Sequence, residues 1–295
     1  MATEIDDLDF NTLRNKIIEV IGNGAGTYGY GQAIQSSQVF QGNIIRKTQW
    51  DGLRNDLLNI LVHQNGVTPT LIEVARGSVI GEDAGDPLQA YDRAIDTARF
   101  NRFFLAPGQS TMTAVSTKTY TSAWSSSASM TVQLTFGSAE AARFFFNSGG
   151  KIRLTSTRTG GSSTAQNNAW SNILASAGVV EFGADSETLD FYTLTNSYQT
   201  RFQSFLSTPY SANNYKIESL CNVANNSTGT ATSITFRIVW SDTYIDAFPG
   251  IPPEDIVDGT LSLSVEEVKA SGVLQPAGSF SITSPSYTVS NITAA

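Results

Sequence analysis

A single cysteine, Cys221, and a single histidine, His63, stand in a chain of 295 residues. One cysteine excludes an intrachain disulfide and says little more about redox compartment. Charged residues are also scarce, at 15% against the usual quarter. The 18 basic residues are outnumbered by 26 acids and form no stripe, so binding to a phosphate backbone has no electrostatic support. No run of 18 apolar residues exists, so no membrane-spanning helix is expected. The first residues, Met-Ala-Thr-Glu-Ile-Asp-Asp, lack an apolar stretch and read as no secretory signal. Asn226-Ser-Thr and Asn291-Ile-Thr match the glycosylation pattern and are read as chance in a threonine-rich chain.

What fills the gap is hydroxyl. Between residues 111 and 175, 23 of 65 are serine or threonine, which suits strands with a hydroxylated solvent face. Hydrophobic residues at 40% and aromatics at 10% supply a real core. The length allows two domains, or one large β domain with an extension.

Helical spacing dominates the N-terminal third. Phe10, Leu13, Ile17 and Ile21 recur on one face, with Asp9 or Asn11 as cap and Gly22 at the end. A second helix is expected around Trp50, Leu53, Leu57, Ile60 and Leu61, with Thr48 as cap, Asp51 completing a capping box and Gly66 closing it. A third runs from Pro87 to about Arg99, with Asp86 as cap and Gln89 at the capping-box position. The first two align at an offset of 40 residues: Phe10-Asn-Thr-Leu-Arg-Asn matches Trp50-Asp-Gly-Leu-Arg-Asn. Two readings follow, a helix pair with similar packing needs and a duplicated docking helix. Between them, Gly24, Gly26 and Gly29 match G-x-G-x-x-G, but they follow a helix and lead toward an extended stretch, the reverse of a dinucleotide site. The glycines are expected to let Tyr28 and Tyr30 lie flat against a neighbour. Pro107-Gly108 marks a boundary.

Beyond it the period changes to two. Alternating stripes run through Met130 to Phe136, Ile152 to Leu154, Tyr198 to Ser204, Ile217 to Val223, Ile234 to Trp240 and Leu261 to Val265, with a closing strand at 279–289. One buried and one wet face per strand predicts an antiparallel β-sandwich. Two short helices interrupt it, one capped by Ser138, the other starting at Asn167 or Asn168 and ending at Gly178. The fold class is therefore mainly β with a helical N-terminal part. Residues 1–107 form a docking region and 108–295 the sandwich, the latter expected to fold without the first 105 residues.

Catalytic chemistry finds no foothold. His63 reads as a capping or surface residue near a helix C-terminus. Cys221 reads as a buried small hydrophobe. The acids Asp242, Asp246, Glu254, Asp255 and Asp258, interleaved with Pro249, Pro252 and Pro253, read as a solvated loop, with a calcium site or a glycosidase carboxylate pair as lesser alternatives. Lys151, Arg153 and Arg158 read as polar strand faces, or as a rim for a sugar or phosphate. No cofactor, metal or catalytic residue is assigned.

Several segments resemble a group of virion structural proteins from contractile-tailed phages of marine cyanobacteria. They are Tyr28-Gly-Tyr-Gly-Gln32, Ser37-Gln-Val39 with Gly42, and Trp50-x-x-Leu53-x-x-Asp56 running to His63-Gln64. In the β region they are Ala142-Arg-Phe-Phe-Phe-Asn-Ser-Gly-Gly-Lys-Ile-Arg and Asn226-Ser-Thr-Gly-Thr-Ala-Thr232. The resemblance spans residues 8–240 and is least clear over 241–295. It implies a particle component without enzymatic activity, assembled in the host cytoplasm and present in multiple copies or as a homo-oligomer. Its partners would be other virion proteins, with no nucleic acid and no membrane. The leading expectation is a tail, neck, baseplate or appendage component. A capsid decoration protein, a glycan-binding receptor module and a polysaccharide hydrolase are the competitors. In the leading reading Leu13, Ile17, Leu53 and Leu57 bury, while Arg14, Tyr28, Tyr30, Trp50 and Arg54 face a partner.

Overall fold

The computed structural model describes residues 6–75, 80–81, 83, 85–185, 189–244 and 256–294. Helix α1 (Asp7–Ile21) starts earlier than its apolar stripe suggested. The Asp6 carboxylate accepts from the backbone N–H of Leu8 and Asp9, and the Asp9 carboxylate accepts from Asp6 N–H, closing a capping box. Helix α2 (Lys47–Asn65) also starts before its expected cap. Thr48 lies inside it, Gln49 Oε1 accepts from Arg46 N–H, and Asp51 pairs with Lys47 one turn back instead of returning to Thr48. Helix α3 (Pro87–Phe100) begins at its proline, but the Asp86 carboxylate accepts from Asp83 N–H rather than from the helix. The three helices pack pairwise. Trp50 fills their centre, edge-on to Phe10 at 5.4 Å and to Tyr91 at 5.7 Å.

The remainder is two antiparallel sheets. Strands β1 (Ser110–Tyr120), β2 (Ser127–Thr135), β3 (Lys151–Thr159), β4 (Val179–Phe182), β5 (Gln199–Phe205), β6 (Asn214–Cys221), β7 (Ser233–Ser241), β8 (Thr260–Ala270), β9 (Ser286–Val289) and β10 (Thr293–Ala294) follow in chain order. One sheet runs β1-β8-β3-β4, the other β10-β2-β7-β6-β5, with β9 also on β2. Register puts the apolar stripes opposite one another: Met130 faces Ile238, Val132 faces Phe236 and Leu134 faces Ile234. The inner faces meet at Phe182 and Phe236, 5.1 Å apart and edge-on. This is the β-sandwich the alternation called for. Helix α4 (Ala139–Asn147) starts at Ser138, whose hydroxyl accepts from Ala141 N–H. Helix α5 (Ala165–Ala177) starts at Thr164, three residues before the expected cap, and packs on β3 with Trp170 edge-on to Trp124.

Among the described residues helices and strands hold about equal numbers of residues, so the helical share beside the expected sandwich is large. Three strands escaped the periodicity: β1, β4 and the two-residue β10. β4 is only four residues long, and β1 buries neither face, so it carries no apolar stripe. The closing strand at 279–289 shrinks to β9, because Phe280 turns away to pack on the helical part. The apolar core is therefore continuous across Pro107: from one side His63 stacks on Phe280 and Tyr30 packs against it at a tilt.

Candidate assembly interface

The glycine-rich loop 22–31 is the joint between helices and sandwich. Gly24, Gly26, Gly29 and Gly31 all have positive φ. A Cβ on Gly31 would lie 2.3 Å from the Phe144 ring, so glycine is what lets the loop approach α4. The loop turns its carbonyls toward that helix. Arg143 donates to the oxygens of Asn23, Gly26 and Tyr28 at 3.1–3.2 Å. Buried Asn147 donates from Nδ2 to Gly26, Tyr28 and Gly29 at 3.2, 2.9 and 3.3 Å. The Tyr192 hydroxyl lies 2.7 Å from Gly26 O and 2.5 Å from Asn147 Oδ1, and burial raises its pKa above the ordinary value. A phosphate cradle offers backbone N–H groups to its ligand; this loop offers oxygens, and the protein's own side chains take them.

Of the five residues expected to face a partner, two are buried and three are partly exposed with contacts inside the chain. Trp50 is 1% exposed and Tyr30 fully buried, so neither is available to a partner. The Tyr30 hydroxyl donates to Arg102 O at 2.6 Å and accepts from Gln64 Nε2 at 2.8 Å. Both followed helical or loop spacing that did not reveal the third helix and the C-terminal segment packed over them. Tyr28 is half-buried, with the Arg99 and Arg102 guanidinium groups 5.3 and 4.9 Å from its ring centre. Arg14 donates to Ser36 O at 3.2 and 3.1 Å. Arg54 reaches Leu71 O at 3.5 Å and Glu73 at 3.4 Å.

The two arginines give the 40-residue repeat its physical reason. Each reaches forward from its helix to a carbonyl in the extended chain that follows. Ser36 is gripped from both sides, because the Asp56 carboxylate accepts from the N–H groups of Gln35 and Ser36 at 2.9 Å. Removing charge-assisted bonds of this kind costs roughly 1–2 kcal/mol each. The double variant Arg14→Ala with Arg54→Ala is therefore expected to lower Tm by about 4–8 °C. An unchanged thermal melt would return these residues to the surface role first expected of them.

Other singled-out residues are also absorbed. His63 is buried, not a surface cap. Cys221 is buried, its Sγ 2.9 Å from Val223 O, and burial pushes its thiol pKa up. The acidic loop is not one solvated unit. Asp242 is buried and accepts from Gln166 Nε2 at 2.8 and 2.9 Å and from Asn213 Nδ2. Asp258 accepts from Ser162, Arg158 and Asn167, and despite desolvation Ser162 and Arg158 hold its carboxyl below the ordinary value. Asp246, Glu254, Asp255, Pro249, Pro252 and Pro253 lie outside the described residues. Among the described residues no group of three or more His, Cys, Asp or Glu is placed to hold a metal ion. The basic rim is neutralised internally: Lys151 pairs with Asp185 and Glu181, and Arg153 with Glu181 and Glu266. Arg158 is buried against Asp258.

What remains open to a partner went unread in the sequence. None of the eleven residues of β1 is buried, and Met112 is prominently exposed. On the helical part Phe40, Ile44, Phe100 and Phe104 are exposed. Phe104 borders a groove of about 830 Å³ between the 103–107 segment and the outer face of the four-stranded sheet. The absence of alternation in β1, and aromatics off the helical stripe, were the available signals.

No family model, no curated protein and no solved structure matches the chain. No helix among the described residues is long and apolar enough to cross a membrane.

Proposed function

We propose that this chain is a structural component of a contractile-tailed phage particle, in the tail, neck, baseplate or an appendage, acting through protein–protein contacts. The observation that carries this reading is β1. Soluble proteins blunt exposed sheet edges with charge, brevity or cover. The other edges are shorter or broken: β4 has four residues, β5 has seven with a bulge and a charge at Arg201, and the edge made by β9 and β10 is interrupted at 290–292. β1 has eleven residues, one charge (Lys118), a single bulge near Val115 and no buried face. Such an edge is suited to a protein that spends its working life covered by neighbours. The resemblance of residues 8–240 to cyanophage virion proteins points the same way. The sandwich supplies a rigid platform, and the helical part, tied to it through the glycine loop, supplies a second contact surface in Phe40, Ile44, Phe100 and Phe104.

Mass spectrometry of gradient-purified particles, with gold-labelled antibody imaging, tests the assignment. The expected result is a fixed copy number per particle and label confined to the tail, neck, baseplate or an appendage. Label over the head surface would favour the capsid decoration reading, and absence from intact particles would overturn the structural role.

A further inference from the structure

His63 belongs to no site described above. Its ring lies between Tyr30, 4.8 Å away, and Phe280, stacked at 4.4 Å and 18°. It is 1% exposed, and neither ring nitrogen has a hydrogen-bond partner of normal geometry. This is the seam between the helices and the sandwich. The His63 carbonyl accepts from Ala106 N–H at 3.0 Å, and Gln32 Oε1 accepts from Ser281 N–H at 3.0 Å beside it. Three stretches distant in sequence, around residues 30, 63 and 280, thus meet at one imidazole.

The groups packed on that imidazole do not welcome charge. From the glycine loop it meets Tyr30, whose hydroxyl is already tied to Arg102 O and Gln64. From the C-terminal segment it meets Phe280, and from the turn after α4 the backbone of Ser148, which favours the charged ring less than burial disfavours it. The charged side chain acting on this cluster through Tyr30 is Arg102, itself a cation. Among the described residues no carboxylate stabilises a protonated ring. Burial accordingly pushes the His63 pKa down to about 3. Asp56, two turns earlier on α2, is held above its ordinary value by burial, so acid favours rather than loosens the folded form at that end.

We propose that His63 is an acid-sensitive latch: protonation parts the seam between the helical unit and the sandwich before it disturbs either sheet. In the closed form the ring stays neutral, while in the opened form it takes a proton near its ordinary pKa of 6.5. The opened form therefore binds more protons, and falling pH favours opening. The sign is fixed: protection is full above about pH 6.5 and is lost progressively toward pH 3.

Hydrogen exchange on the full chain, from pH 8 to 4.5 and corrected for intrinsic rates, reads this directly. Peptides covering residues 28–32, 61–66 and 279–282 are expected to lose protection about tenfold per pH unit below 6.5. Peptides covering 234–240 in the six-stranded sheet and 261–265 in the four-stranded sheet are expected to change little. In His63→Phe the pH slope of the seam should vanish. Equal loss in seam and sheets, or a persistent slope in His63→Phe, would overturn the proposal. Because His63 is the sole histidine, its imidazole NMR signal gives a readout that needs no variant. The closed-state signal should not shift between pH 8 and 4.5 while a second, opened-state signal grows in. An ordinary titration near 6.5 would refute the latch.

Discussion

Asn147→Ala is expected to cost the protein roughly 3–4 kcal/mol, enough to loosen the joint between helices and sandwich. Asn147 is fully buried at the end of α4, and its amide donates to the carbonyls of Gly26, Tyr28 and Gly29. Arg143 and Tyr192 would still serve Gly26, and Arg143 would still serve Tyr28. Gly29 O would lose its side-chain donor, and the Tyr192 hydroxyl would lose one of its two acceptors. A buried polar group left without a partner costs about 1–3 kcal/mol, and the vacated amide volume adds to it. Asn147→Asp separates donation from packing. The shape is kept, but a carboxylate turned toward three carbonyl oxygens cannot donate, so at pH 8 it should destabilise at least as much as alanine. Urea unfolding of the two variants beside the native chain measures both effects. An aspartate variant within about 0.5 kcal/mol of the native protein would show that the loop is held by packing alone.

Trp50→Ala is expected to cost about 3–5 kcal/mol and to abolish the near-ultraviolet signal of the helical core. The indole is 1% exposed and meets Phe10 and Tyr91 edge-on, so three helices lose their shared contact at once. Aromatic pairs of this geometry are worth about 0.5–1.5 kcal/mol beyond area burial. Trp50→Phe should recover most of the loss, because it keeps an aromatic ring in the gap. A Trp50→Ala protein that melts normally but fails to enter particles would reverse the assignment and make Trp50 a docking anchor.

Much of the local structure was legible in the residues because its causes are local. The helical period of Phe10, Leu13 and Ile17 and the two-residue period of Ile234, Phe236 and Ile238 each report a buried face, and those faces are buried. Ser138 as a cap and Gly66 and Gly178 as helix ends follow from unsatisfied backbone groups within a single turn. Cap positions shifted by a few residues at α1, α2 and α5, where Asp6, Gln49 and Thr164 competed for the same backbone groups.

The site was less legible, because burial of a half-apolar side chain depends on what arrives from elsewhere. Trp50 and Tyr30 look like interface anchors in a helix and a loop taken alone. Tyr91, Gln64, Arg102 and Phe280 come from other parts of the chain to cover them. His63 lies at a helix end, which argues for a cap, until Phe280 closes over its ring. Asp242 and Asp258 look like one acidic loop, yet they bond to different partners, Gln166 with Asn213 in one case and Arg158 with Asn167 in the other.

By itself the amino-acid order determined the three N-terminal helices, the alternating strands of a sandwich and the change of period at Pro107. Each rests on contacts between residues a few positions apart, or on the partition of apolar and polar side chains between two faces. Only the tertiary structure decided that the glycine loop is an internal joint, that the repeated arginines hold their own chain, and that β1 is the longest edge left bare. The joint and the seam depend on pairings more than 100 residues apart, such as Asn147 with Gly29 and Tyr30 with Phe280, and the arginine contacts reach 22 and 17 residues along the chain. No local period encodes which surface a distant segment will cover.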